Sequence, residues 1–192
     1  MKNKNIIRIA IVTAFILLIP FLAMQFTDEV DWSLFDFVAF GALLFGSGLA
    51  YELIARKAGH RAYRAAIGVA LAAAFLLVWI NGAVGIIGNE DNPVKLMYFG
   101  VLGVGIIGAF IARLRPRGMA RALFATAVAQ ALVFMIAMII AKPPFHSTKE
   151  IFEVLKLLTL NAFFALLFIG SGLLFRRAGK MARVEPKACE AS

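Results

Sequence analysis

The chain is poor in the residues from which catalytic and metal centres are built. It holds one cysteine among 192 residues, Cys189, which excludes a disulfide framework and any thiolate metal cluster within a single copy. There are two histidines, His60 and His146. They fall in connections on opposite sides of the reading below, so they cannot jointly clamp a haem or a metal ion. No H-E-x-x-H, P-loop or G-x-S-x-G pattern occurs. The terminal Cys189-Glu190-Ala191-Ser192 has the placement of a prenylation box, but Glu190 is a poor substitute for an aliphatic residue. No catalytic residue, metal site or cofactor is therefore expected. Charge is also scarce, at 16% of residues against about 25% in soluble domains. So few charges exclude a disordered segment and a monomeric water-soluble enzyme.

What is present instead is apolar matter: 62% of residues, against roughly 45–50% for soluble domains on a similar count. It comes in continuous runs about twice the length of a barrel strand, which moreover would alternate apolar and polar positions. A membrane-spanning helix needs roughly 20 such residues. Breaks of charge, proline and glycine place six spans, at 6–24, 34–54, 65–88, 96–112, 119–141 and 151–175, followed by a basic tail at 176–192. The expected fold is an all-α membrane protein: a bundle of six transmembrane helices in one domain, with short loops. Lys2 and Lys4 ahead of the first run imitate a signal peptide. That run is long for one, and Leu22-Ala23-Met24 is a poor cleavage site, so an uncleaved first helix is expected.

Charge alternates from connection to connection. Most of the 20 Lys and Arg residues fall in four sets: Lys2, Lys4 and Arg8; Arg56, Lys57, Arg61 and Arg64; Arg113, Arg115, Arg117 and Arg121; and Arg176, Arg177, Lys180, Arg183 and Lys187. Acidic residues collect in or beside the other connections, at Asp28, Glu29, Asp31, Asp36, Glu90, Asp91, Glu150 and Glu153. Basic loops stay in the cytoplasm, which predicts both termini inside. The +9 net charge is then a consequence of topology, and with no soluble reading surface a nucleic-acid partner is not expected. The basic loops are expected to meet anionic lipid headgroups.

A faint internal duplication runs through the chain. Phe40-Gly41, Ile54-Ala55-Arg56 and Arg64-Ala65 recur as Phe99-Gly100, Ile111-Ala112-Arg113 and Arg121-Ala122. Similar ends on helices that cross in the same direction account for it as well as a true repeat does.

Ionisable residues at mid-membrane depth are the usual mark of transport or proton relay, and they are nearly missing. Asp36 follows Ser33 at capping-box spacing, Glu52 and Arg56 have the spacing of an i,i+4 pair, and Ser147 and Glu150 repeat the capping pattern. The candidates for a binding site are uncharged. Gln130 lies at the middle of the fifth span, with Thr126 and Ala122 on the same helix face. Asn81 and Asn161 lie toward the far halves of the third and sixth spans. A buried amide in lipid seeks a partner, so these residues read first as interhelical glue. The sharper reading has Gln130, Asn81, Asn161 and Thr126 lining a polar site between the third, fifth and sixth spans.

Glycines concentrate at Gly82, Gly85, Gly88, Gly100, Gly103, Gly105 and Gly108. They read as close-packing positions, or alternatively as a bendable element like the broken helices of transporters. Asn89-Glu90-Asp91-Asn92-Pro93 has turn chemistry without EF-hand spacing.

The stretch from Trp79-Ile80-Asn81-Gly82 through Asn89-Glu90-Asp91-Asn92-Pro93 resembles small inner-membrane proteins of bacteria, over most of the chain. The resemblance implies a bacterial source and an inner-membrane location, and it brings no activity, ligand or catalytic residue. Sequence thus favours a non-catalytic membrane protein that packs against a membrane partner or as a homo-oligomer. A small-solute or cation permease is the alternative, and an intramembrane enzyme lacks any identifiable nucleophile or acid–base pair.

Overall fold

The computed structural model describes residues 3–27, 31–56, 60–83, 94–141 and 148–189. Among them are six α-helices and no strand: α1 (Asn3–Phe26), α2 (Leu34–Ala55), α3 (Arg61–Ala83), α4 (Val94–Ile111), α5 (Pro116–Ala141) and α6 (Thr148–Cys189). Five contain stretches long and apolar enough to cross a membrane: Lys4–Phe26, Leu34–Ala55, Arg61–Asn81, Pro116–Ile140 and Ile151–Ala182. The apolar stretch described in α4, Met97–Ile111, is shorter. At 1.5 Å per residue the 18 residues of α4 extend about 27 Å, close to a hydrocarbon thickness of about 30 Å.

One boundary differs from the sequence reading and another lies outside the described residues. The sixth apolar run was expected to end at Phe175, ahead of a basic tail, but α6 continues to Cys189. Charge ends an apolar pattern without ending a helix, and arginine, alanine, lysine and methionine after Phe175 all favour helical backbone. The third span was expected to reach Gly88; α3 is described to Ala83, and 84–88 lie outside the described residues.

The chain divides into two compact units, Met1–Arg56 and Lys57–Ser192. The first is a pair of antiparallel helices. Ile9 lies against Gly48 and Leu17 against Gly41, and near one end the Asn5 amide donates to the Glu52 carboxylate, which also pairs with Arg56 at 2.7 Å. At the other end Ser33 caps α2. Its hydroxyl accepts from the Asp36 backbone N–H at 3.3 Å while the Asp36 carboxylate accepts from the Ser33 N–H at 2.8 Å. This reciprocal box satisfies donors that a helix start leaves open. Trp32 stacks edge-on against Phe37 and Phe40 beside it.

In the second unit α6 is the central element. It packs along α5 on one side and α3 on the other, and α4 packs on α5. Its inward stripe, Phe164, Phe168, Ser171, Phe175 and Ala178, is buried at the three- and four-residue spacing of one helix face. Ser171 donates to the Ala66 carbonyl at 2.7 Å, tying α6 to α3. Gly105 and Gly108 face α5, where an added Cβ would lie 3.2 Å from Thr126 Oγ1 and 2.6 Å from Ala122 Cβ. Gly100 and Gly103 have open space beside them. The surroundings of Gly82, Gly85 and Gly88 lie outside the described residues.

Tyr63 closes one end of this unit. Its hydroxyl donates to the Leu114 carbonyl, and its ring meets Phe175 edge-on at 5.1 Å. That contact gathers the start of α3, the turn between α4 and α5 and the later part of α6. Arg61, Arg64, Arg113, Arg115, Arg176 and Arg177 therefore share one end. The turn is tight: Arg113 and Leu114 adopt positive φ of 47° and 58°, an unusual conformation for residues other than glycine.

Candidate functional site

Helices α4, α5 and α6 bring three polar side chains together inside the second unit. Asn161 on α6 is the hub. Its Nδ2 donates to the Leu157 carbonyl one turn back at 2.9 Å and to the Tyr98 hydroxyl at 3.1 Å. Its Oδ1 accepts from Gln130 Nε2 at 3.0 Å and from the Tyr98 hydroxyl at 3.3 Å. All three side chains are buried, and Gln130 is 0% exposed.

The Leu157 carbonyl sets the orientation of the cluster. A carbonyl can only accept, so the Asn161 atom against it is the NH₂ group, and Oδ1 turns to α5. Gln130 must then present its own NH₂ group, which directs Oε1 away from Asn161. Among the described residues no donor reaches that buried oxygen. An unmet acceptor in such surroundings costs on the order of 1–3 kcal/mol. Interhelical hydrogen bonds in membranes contribute about 0.6–2 kcal/mol each, so the bonds around Asn161 outweigh the one atom left over.

Of the residues singled out from sequence, the structure unites Gln130 and Asn161. Thr126, one turn before Gln130, is buried but donates to the Ala122 carbonyl of its own helix at 2.9 Å and packs against Gly105. Asn81 is buried in α3 and does not bond to Tyr98, Gln130 or Asn161. The member that sequence reasoning missed is Tyr98. It is the one polar side chain in the apolar run of α4, and a phenol buried among apolar residues needs a partner; that was the available signal.

A second feature lies at the end marked by Tyr63. An open groove of about 820 Å³ runs between the α4–α5 turn, the first turns of α5 and α6 near Gly179. Arg115, Arg117 and Arg121 line it above a floor that includes Gly108, Ala122 and Ala125. Comparison with protein-family models, with curated proteins and with solved structures finds no match to this chain.

Proposed function

We propose that this chain is a non-catalytic integral membrane protein that acts through packing, against a membrane partner or a second copy of itself. The observation that supports the reading is the Tyr98–Gln130–Asn161 cluster: the polar groups most suited to handling a solute are fully buried and bonded across three helices. Their chemistry is directed at holding the unit together. The outer faces of α1, α2, α4, α5 and α6 carry large exposed apolar side chains, among them Phe15, Phe35, Phe110, Ile139 and Leu166, suited to lipid or to another helix.

The finer topology belongs to the same proposal. Six crossings, with both termini and the arginine-rich turns in the cytoplasm of a bacterial cell, follow from the charge pattern and from an α4 of near-spanning length. In a Cys189→Ser background, single cysteines placed at Asn89 and at Arg115 are to be probed on intact cells with an impermeant thiol reagent. Labelling at 89 alone is expected; labelling at 115 overturns the orientation.

The role itself is tested by purification in mild detergent followed by native mass spectrometry, which is expected to find a dimer or a second protein. Recovery of a bare monomer would count against the proposal. A permease is the second reading, favoured by the buried Oε1 of Gln130 that no described donor reaches. Flux of a small cation or polar solute into proteoliposomes, abolished by Gln130→Leu, would establish it instead.

A further inference from the structure

We infer that the groove at the α4–α5 turn is a binding site for one anionic phospholipid, its phosphate held by Arg115, Arg117 and Arg121 and an acyl chain laid on the small-residue floor. Charge is the first argument. Arg115, Arg117 and Arg121 line a single groove, and among the described residues none of the three has a carboxylate within ion-pair distance. Guanidinium is the side chain best matched to a phosphate, through two parallel N–H donors. The first-turn amides of α5, around Arg117 and Gly118, have no acceptor within the helix and point toward the same end. This makes the site more positive still.

Shape is the second argument. Arg117 and Arg121 are one helical turn apart, so the charge occupies two levels about 6 Å apart along α5. Beyond Arg121 the lining becomes apolar, with Ala122, Ala125, Gly108 and Ile111. A free inorganic anion would use the arginines and leave this floor uncovered. A phosphate ester carrying a hydrocarbon chain uses both. The groove exists because its lining is small: Gly179 has no side chain to fill it, and close approach at Gly108 and Gly118 draws α4, the turn and α5 together behind it. At about 820 Å³ it lies within the roughly 300–1,000 Å³ of small-molecule sites. The arginines gather at the end where the charge pattern places the membrane surface, the depth of a headgroup. The inference is independent of the packing role, since such a site exists whether or not a protein partner binds; it does rest on the chain being embedded in a bilayer.

The test uses the full chain, delipidated in detergent and titrated with dioleoylphosphatidylglycerol or dioleoylphosphatidylcholine, with bound lipid counted by native mass spectrometry. One tightly held phosphatidylglycerol is expected, at an affinity at least tenfold above phosphatidylcholine. Each basic residue near an anionic surface contributes about a fivefold factor, so Arg117→Gln/Arg121→Gln is expected to weaken it about 25-fold. Arg176→Gln/Arg177→Gln removes equal charge from the same end but outside the groove. Equal weakening by that pair would mean diffuse attraction and would overturn the site. Ala125→Leu keeps every charge and fills the floor from an exposed position, and is expected to weaken binding at least fivefold; unchanged binding overturns the placement of the acyl chain. Displacement of the lipid by millimolar inorganic phosphate would assign the groove to a free anion and overturn the lipid. Circular dichroism and elution volume matching the parent confirm that each variant is folded. A parent chain that stays soluble without detergent would instead refute membrane embedding, separately from lipid preference.

Discussion

The α1–α2 pair and the α3–α6 unit are made from equally apolar helices, yet they are held together differently. In the most apolar 18 residues of α1 and α2, 6% and 0% of the residues are buried, against 28–33% in α3, α5 and α6. The pair is fastened by the Asn5–Glu52 bond near one end and the edge-on Phe21–Phe37 contact near the other, with Ile9 against Gly48 and Leu17 against Gly41 between them. The four-helix unit also has close glycine contacts, between α4 and α5, and adds hydrogen bonds in its interior, centred on Asn161 and Ser171. In lipid, hydrophobicity gives one helix no preference for another over acyl chains, so association rests on packing and hydrogen bonds. Both units pack closely at glycines, and among the described residues the buried side-chain hydrogen bonds between helices are those of the second unit. The pair carries large exposed apolar side chains such as Ile7, Phe15, Ile19, Phe35 and Val38.

This contrast predicts where substitution is felt. Gly108→Leu should have the largest effect, because its Cβ would lie 2.6 Å from Ala122 Cβ and 3.3 Å from Ala122 Cα. Backbone cannot give way cheaply, and overpacking of this kind costs about 3 kcal/mol. Gly46→Leu in the pair meets nothing within 4 Å and should be neutral, or slightly stabilising through helix propensity. Thermal unfolding in detergent checks both, and Gly108→Ala/Ala122→Gly should recover most of the loss. Equal effects at Gly46 and Gly108 would erase the contrast.

Next in size is Asn161→Leu, which strands Gln130 Nε2 and the Tyr98 hydroxyl together and should cost about 2 kcal/mol. Gln130→Leu should cost less than about 1 kcal/mol, since it also removes the unmet Oε1 acceptor and its penalty. A larger loss for Gln130→Leu than for Asn161→Leu would show that Oε1 has a bound donor, such as water or solute. Ser171→Ala follows at about 1 kcal/mol for the bond to Ala66. The same unfolding curves rank all three.

The features legible in the sequence are those whose partners are sequence neighbours. Ser33–Asp36 and Glu52–Arg56 lie within one helical turn, so spacing alone names both members. Gln130 and Asn161 could be recognised as amides in need of a bond. Their pairing depends on which faces of α5 and α6 meet, and no periodicity specifies that for helices apolar almost all round. Tyr98 sits 63 residues from Asn161 and looked like an ordinary aromatic residue. The groove was less legible still. It depends on a turn in which Arg113 and Leu114, rather than a glycine, take positive φ, and on glycines of three separate segments meeting there. The extension of α6 was missed because apolarity reports the bilayer's edge and not the helix's end.

The smallest expected effects lie at the fastened ends of the α1–α2 pair, where hydrogen exchange is a more direct probe than global unfolding. Ser33→Ala removes the side-chain acceptor of the capping box and should raise exchange in the first turn of α2 about fivefold, for a loss of about 1 kcal/mol. Protection in α5 and α6 should not change. Glu52→Gln should do less. The glutamine keeps an oxygen that can accept from Asn5, while the charge opposite Arg56 is lost. The two side chains are 22% and 37% exposed, and a pair so open to water is worth about 0.5 kcal/mol or less. Exchange around Glu52 should therefore rise no more than about twofold at low salt, and the difference should vanish at about 1 M salt, where the Debye length is about 3 Å. A rise that is large or indifferent to salt would mean that the carboxylate's charge, and not the hydrogen bond that a glutamine oxygen keeps with Asn5, holds that end of the pair.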